Sequence, residues 1–193
     1  MNNLKNINTD IWYYDEKSAN RAVDFIEMFC QHVKGDLAGQ RFILEDWQKD
    51  DIIKPLFGWK SKKTNLRKFR QCFVFIPRKN GKTNLMVGVA LYMLFSDGEK
   101  GAEIVSAAAD KEQARLSFSI AKQMVIQEPQ LISRGNTYRD SITYDKVGSY
   151  YKVISADADT KHGLVVYWMR FTLIRIVTST MCYSRVWVLE KSL

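Results

Sequence analysis

The sequence has few residues that break or cross-link a chain: three prolines, ten glycines and three cysteines among 193 residues. So little proline and glycine excludes collagen-like and linker-rich proteins. Cys30, Cys72 and Cys182 are odd in number and far apart. This pattern predicts neither a disulfide framework nor a zinc site, and it is typical of a reducing compartment. No apolar run is long enough to cross a membrane, and the first ten residues lack the apolar stretch of a signal peptide.

Residues 165–193 contain no Gly, Pro, Asn or Asp. Their single acidic residue is Glu190. They carry four basic residues, so the formal net charge of +8 divides into +5 for residues 1–164 and +3 for this tail. A net positive charge permits a nucleic-acid partner without indicating one.

The segment 60–71, KSKKTNLRKFRQ, has six basic residues and no acid. It has two interpretations: a solvated basic loop, or a patch that contacts phosphates of a nucleic-acid backbone or of a nucleotide bound nearby.

Hydrophobic periodicity and turn residues predict an α/β fold with a largely parallel sheet, because strands and helices alternate along the chain. A short apolar run, Cys72–Ile76, predicts a buried strand that Pro77 ends. Ser18 is the expected N-cap of the first helix and Gly35 its expected stop. The other predicted strands are 102–107, 141–144 and 150–155, the last two around a turn at 146–148, and the predicted helices are 18–34, 45–54, 83–95 and 110–127.

The loop between the strand and the helix 83–95 carries the clearest chemical signal. Gly81-Lys82-Thr83 has the chemistry of a phosphate-binding loop: backbone N–H groups can approach phosphate oxygens beside a glycine, the lysine supplies charge, and the threonine hydroxyl can bind Mg²⁺. The usual pattern has a glycine where this chain has Ile76. The alternative interpretation is an exposed basic turn before a helix.

An ordered set of segments resembles the N-terminal ATPase domain of the large subunit of tailed-phage terminases, the motors that package DNA. That family replaces the first glycine of the loop, which often reads R-x-N-G-K-[ST]. The resemblance covers about residues 18–164. The segments that carry it are Phe25-Ile26-Glu27, Gly39-Gln40-Arg41-Phe42, Leu44 with Trp47-Gln48, Leu56-Phe57-Gly58-Trp59, Arg78-Lys79-Asn80-Gly81-Lys82-Thr83, Ser106 to Ala114, Ser155-Ala156-Asp157 and Thr160 to Leu164.

The resemblance implies a P-loop NTPase-like fold that binds ATP and Mg²⁺. It implies that Gln48 contacts adenine, that Lys82 binds the β and γ phosphates and that Thr83 binds Mg²⁺. The other expected cofactor-binding residues are Arg78, Lys79, Asn80 and Gly81. The implied partners are double-stranded DNA, a terminase small subunit and a portal, in the cytoplasm of a bacterial host and without a membrane. Trp47 is expected in the core, His162 in a turn, and His32 in a structural or exposed position.

The acidic element that such a loop needs is missing. The family places it shortly after the stretch that matches His162-Gly163-Leu164, as an apolar strand that ends in Asp-Glu. After Leu164 this chain reads VVYWMRFTLIRIVTSTMCYSRVWVLEKSL, in which Glu190 is isolated. No catalytic residue is therefore assigned, and the P-loop core is expected to be incomplete towards the C-terminus.

Back-translation gives a reason for the missing acids. The codons of Trp168 and Met169 are unique, and a frame that starts at the third base of Trp168 reads Asp, after which codon choices permit Glu-Ile-His. Further on, Arg175 to Cys182 permit Asn-Arg-Asn-Leu-Tyr-Asp-Val-Leu, which also resembles the family. We hypothesise a frameshift between about residues 164 and 168. The alternative is a genuine apolar hairpin.

These observations predict three regions: a helical leader with the glutamine motif at 1–59, a partial ATPase core at 60–164 and an out-of-frame tail at 165–193. The preferred function is a truncated terminase large subunit that retains nucleotide binding, has lost hydrolysis and lacks the nuclease domain. The alternatives are an active helicase-like P-loop ATPase and a non-enzymatic basic module that binds nucleic acid.

Overall fold

A computed structural model describes residues 7–76, 80–108, 111–155, 163–168, 172–178 and 185–190. The described residues form the predicted α/β fold, with one eight-stranded sheet and a separate two-stranded sheet. The strands are β1 (Trp12–Tyr14), β2 (Trp59–Ser61), β3 (Phe69–Ile76), β4 (Glu103–Ala108), β5 (Asn136–Thr137), β6 (Ser141–Tyr144), β7 (Ser149–Ser155), β8 (Gly163–Trp168), β9 (Thr172–Thr178) and β10 (Arg185–Glu190).

Helices occur at each predicted position, with shifted ends. They are α1 (Glu16–Phe29), α2 (Asp46–Gln48), a π-helical turn (Lys49–Ile53), α3 (Lys54–Gly58), α4 (Lys82–Phe95), α5 (Lys111–Gln127) and α6 (Pro129–Ile132), with a 3₁₀ turn at Asp145–Val147.

Helix α1 begins and ends earlier than predicted. Its N-cap is Asp15 rather than Ser18, because the Asp15 carboxylate accepts hydrogen bonds from both the Ser18 N–H, at 3.2 Å, and the Ser18 hydroxyl, at 2.6 Å. At the other end Cys30 is already extended, so the helix ends at Phe29, six residues before Gly35. The residues between Cys30 and Gly35 are thereby freed to pack across the start of another helix.

The second predicted helix continues past Pro55 instead of stopping before it. A π-helical turn precedes α3, in which Pro55 lies in the first turn. Proline is tolerated there because a first turn does not need its missing N–H. The whole segment buries Ile52, Ile53, Leu56 and Phe57.

The eight-stranded sheet is mixed, which corrects the expectation of a mostly parallel one. Its order is β10-β3-β9-β8-β4-β7-β6-β5, and of these seven described pairings only β3 with β9 and β4 with β7 are parallel. The physical reason is short connections: β6 and β7 are joined by four residues, and β8 and β9 by three, which permit only antiparallel pairing. The strands β3, β4, β7 and β9 nevertheless run in one direction, so their carboxyl ends lie at one edge.

Helix α4 is the centre of the core. Every residue from Leu85 to Phe95 is buried, as the continuous apolar sequence predicts for a helix covered on all sides. It packs against α1 and α5 and against strands β4 and β7. The body of α4 is therefore held by elements on several sides.

Gly88 sets the distance between α4 and α1. A Cβ added there would lie 3.2 Å from Ile26 Cγ2 and 3.7 Å from Cys30 Sγ. We expect Gly88→Val to lower the free energy of unfolding by about 1–3 kcal/mol through overpacking, measured by urea denaturation. Gly88→Ala is the control, and we expect its stability to be close to that of the wild type. Alanine clashes less than valine, and its higher helix propensity, worth about 1 kcal/mol relative to glycine, offsets the clash. Equal stability of Gly88→Val and the wild type would contradict this packing.

Among the described residues, no helix is both long and apolar enough to cross a membrane.

Candidate nucleotide-binding site

The predicted phosphate-binding segment connects the carboxyl end of β3, at Ile76, to the start of α4, at Lys82. Gly81 is the N-cap of α4 and has φ +66°, ψ 10°, a left-handed conformation that favours glycine. The Leu85 N–H donates to Gly81 O at 3.0 Å and closes the first turn. The backbone N–H groups of such a first turn point out of the helix, where its dipole favours an anion.

The predicted loop residues occupy the start of the helix as expected. Asn80 is exposed, whereas Lys82 and Thr83 are half-buried in the first turn of α4. Arg78 and Lys79 lie outside the described residues, as do His162 and Asp110, the first residue of the predicted helix 110–127. The structure thus gives strand, left-handed glycine and helix start, in that order, for the part of the loop that it describes.

Gln48, the predicted adenine-contacting residue, lies beside this loop. Its side-chain Nε2 is 3.6 Å from the position that a Cβ on Gly81 would take. Gln48 is 2% exposed, and its Oε1 accepts a hydrogen bond from the Glu45 N–H at 3.1 Å as part of a capping box. The structure therefore brings together two motifs that are separated by more than thirty residues in the sequence. Trp47 packs against the core, as predicted.

Glu27 of α1 anchors the segment that carries Gln48. Its Oε1 accepts from the Leu44 N–H at 3.0 Å and pairs with Lys49 Nζ at 2.8 Å. Phe42, in the same segment, is buried, and its Cε2 lies 3.9 Å from the Cβ position of Gly81. This segment forms one wall beside the loop.

His32 is a residue of this site that sequence reasoning missed. It follows α1, and its ring Nδ1 lies 3.2 Å from Asn84 Nδ2 in the first turn of α4. Its ring also meets the Phe42 ring edge to face, with centroids 5.3 Å apart. The residues are 52 positions apart, so no sequence spacing signals the contact. The only hint is the position of Asn84 directly after Gly81-Lys82-Thr83.

The basic segment 60–71 is not adjacent to the loop, which removes the nucleotide-contact interpretation of it. Arg67 pairs with Asp97 at 2.8 Å, just beyond the end of α4, and α4 is about 20 Å long. Lys60 pairs with Asp15 at 2.7 Å, and this hydrogen bond is the main reason that the pKa of Asp15 falls to about 2. Two of the cations therefore hold the segment in place, whereas Lys62 and Lys63 are exposed.

Neither strand that pairs with β3 supplies an acid at the loop edge of the sheet. Within them no group of three or more His, Cys, Asp or Glu side chains could hold a metal ion. Strand β9, the parallel neighbour of β3, has the sequence TLIRIVT, without an acid, and Thr178 pairs with Ile76 at the loop edge. Glu190 of β10 pairs with Phe69, at the opposite end of β3.

Three comparisons with known proteins agree. The family model for the terminase large subunit, ATPase domain, matches residues 46–167. The terminase large subunit of Enterobacteria phage HK97 is 33% identical over 147 residues, which are 75% of this chain and 28% of that protein. The crystal structure of the HK97 bacteriophage large terminase has a TM-score of 0.60 and 29% identity, covering 75% of this chain and 29% of that one. This chain thus spans less than a third of the length of these relatives.

Proposed function

Because the chain belongs to the terminase large-subunit family, over its ATPase domain, we propose that it binds ATP with Mg²⁺ at the start of α4. The observation that carries the proposal is Gly81 in a left-handed conformation between a buried strand and the N-terminus of a 14-residue helix. Lys82 supplies charge to the terminal phosphates, and Thr83 is the hydroxyl ligand of Mg²⁺. Arg78 and Lys79 add positive charge, and Asn80 belongs to the same loop.

Gln48 is the proposed contact to the adenine edge. A buried amide next to the phosphate-binding glycine can reach a base, since its Nε2 is a donor and its Oε1 an acceptor. The capping hydrogen bond to Glu45 fixes the direction of the Oε1 atom and so leaves the Nε2 side towards Gly81.

The cellular role follows from the family. We propose descent from an ATP-driven motor that packages double-stranded DNA and that works with a small subunit and a portal in the cytoplasm of a bacterial host. Whole-protein activities of the relatives, of which this chain covers 28–29%, are part of this proposal and need separate tests.

We further propose that ATP hydrolysis has been lost through a frameshift. The match to the family model ends at residue 167, directly before the codon at which the shifted frame would spell Asp-Glu. Strands β8, β9 and β10 are compatible with this origin, because apolar and β-branched sequences pair readily with open strand edges. The nucleotide sequence of the gene tests the point directly. Codons that do not spell Asp-Glu in the shifted frame contradict it.

Binding of ATP is tested through Thr83. We expect the wild-type chain to bind ATP more tightly with Mg²⁺ than with EDTA, in isothermal titration calorimetry. Thr83→Ala is expected to weaken Mg²⁺-dependent binding about tenfold, since it removes one ligand to a charged centre, and to leave binding in EDTA unchanged. Thr83→Ser retains the hydroxyl and is the matched control. A wild-type chain that binds no ATP contradicts the proposed function.

A further inference from the structure

One side-chain contact joins the leader to the first turn of α4. Asn84 is the third residue of that helix, and its amide Nδ2 lies 3.2 Å from His32 Nδ1. The amide nitrogen of asparagine can only donate a hydrogen bond, so His32 Nδ1 accepts, and the ring proton is on Nε2.

His32 is itself rigidly held. Its backbone N–H donates to Gln40 O at 2.9 Å, and its carbonyl accepts from the Gly39 N–H at 2.8 Å. The His32 imidazole packs edge to face against the Phe42 ring, with an interplanar angle of 85°. This packing fixes the orientation of the imidazole. An imidazole whose backbone is held and whose ring packs on Phe42 can position the amide that it contacts.

The residues around His32 border the loop. Phe42 and Gln48 flank Gly81 on the side of the leader, and Asn84 follows Thr83 by one residue. The segment that carries Phe42 and Gln48 is also anchored by Glu27, through Leu44 and Lys49. Removal of the imidazole should therefore leave that segment in place and release only the first turn of α4.

We propose that His32 is a positioning residue of the nucleotide site, which acts through Asn84. It holds the first turn of α4, with Lys82 and Thr83, at a fixed position relative to Phe42 and Gln48. His32 does not itself contact the nucleotide. The proposal rests on the proposed function for its effect on ATP affinity, while the contact itself can be tested without any ligand.

A double-mutant cycle tests the effect on binding. His32→Ala and Asn84→Ala are each expected to weaken Mg²⁺–ATP binding about 3- to 10-fold, the range for one net hydrogen bond. The double variant is expected to bind no more weakly than either single variant. His32→Gln should recover most of the affinity, since its Oε1 can accept from Asn84. Lys34→Ala, at an exposed position of the same segment, is the control and should bind like the wild type.

A purely structural role gives a different pattern. It predicts lower stability with unchanged ATP affinity of the folded protein, and no recovery by glutamine. Additive losses in the double variant, or wild-type affinity in His32→Ala, would overturn the proposal.

Nuclear magnetic resonance provides the test without nucleotide. The chain has two histidines, so His32→Gln identifies the ring signals by removing one set. At about pH 8, long-range nitrogen–proton correlation should show His32 Nδ1 without a proton. The backbone amide signals of Gly81 and Lys82 should shift in His32→Ala and stay in place in Lys34→Ala. Unmoved signals overturn the positioning role, whereas absent ATP binding with moved signals overturns only the proposed function.

Discussion

The purified chain is expected to hydrolyse ATP at least about 1,000-fold more slowly than a chain whose reading frame is restored from the third base of Trp168. The restored chain keeps residues up to Tyr167 and continues with Asp-Glu-Ile-His. Phosphate release at saturating Mg²⁺–ATP measures both rates. The expected difference is large because hydrolysis depends on charge placed at the metal and on a positioned water, and the Asp-Glu pair supplies both.

None of the described strands places an acid beside β3 at the carboxyl edge of the sheet. An acid that serves the loop must lie at the carboxyl edge of the sheet, close to β3. The parallel neighbour β9 has no acid, and Glu190 lies at the other edge, beside Phe69. In the sequence, Asp110 follows β4 and Asp157 follows β7, which are three and four strands from β3. At about 4.8 Å per strand these strands are roughly 14 Å and 19 Å away.

A substituted chain is the sharpest control. Trp168→Asp with Met169→Glu introduces the same acids without the restored frame. Strand β8 runs antiparallel to β9, and Trp168 pairs with Thr172, near the amino end of β3. With the present β9 and β10 in place, these acids lie at the edge opposite the loop, and we expect no gain in hydrolysis. The restored chain has the same acids at positions 168 and 169 but replaces the sequence of β9 and β10, so we expect its acidic strand to pair beside β3 instead. A wild-type rate that depends on Lys82 would contradict the loss of the acidic motif, whereas full activity in the substituted chain would contradict the placement of these acids at the edge opposite the loop.

Local signals in the sequence predicted the parts of the fold that local chemistry determines. The strand before the loop, the buried helix after it and the hairpin of β6 and β7 all occur at the predicted positions. These elements depend on apolar runs and turn residues, with Gly148 in the left-handed conformation that ends the hairpin turn. The presence of Gly81 at the helix start follows from the same local chemistry.

The errors arise where a competing local group or a long-range contact decides the structure. Ser18 has the chemistry of an N-cap, but the nearby Asp15 carboxylate is the stronger acceptor and moves the helix start. Pro55 ends a regular helix, but a π-helical turn provides a new first turn for it. The contact of His32 with Asn84 depends on how two segments 52 residues apart pack together, which one-dimensional periodicity does not encode.

Replacement of Lys82 by alanine is expected to weaken ATP binding about 100-fold or more. Lys82 is the first residue of α4 and is half-buried, so its charge interacts with the phosphates in a partly desolvated setting. Loss of one partner from such a charge-assisted contact costs about 2–5 kcal/mol, which corresponds to the expected change in affinity. Fluorescence titration with an ATP analogue measures it.

Lys63→Ala distinguishes site binding from general charge attraction. Lys63 is exposed in the basic segment, and its removal changes the net charge by the same amount as removal of Lys82. Because the segment lies beyond the far end of α4, where Arg67 pairs with Asp97, screening by salt should remove any effect of Lys63 on ATP. A non-enzymatic basic module predicts the reverse: equal, salt-sensitive losses in Lys63→Ala and Lys82→Ala. A loss confined to Lys82, and retained at high salt, therefore assigns binding to the loop at the start of α4.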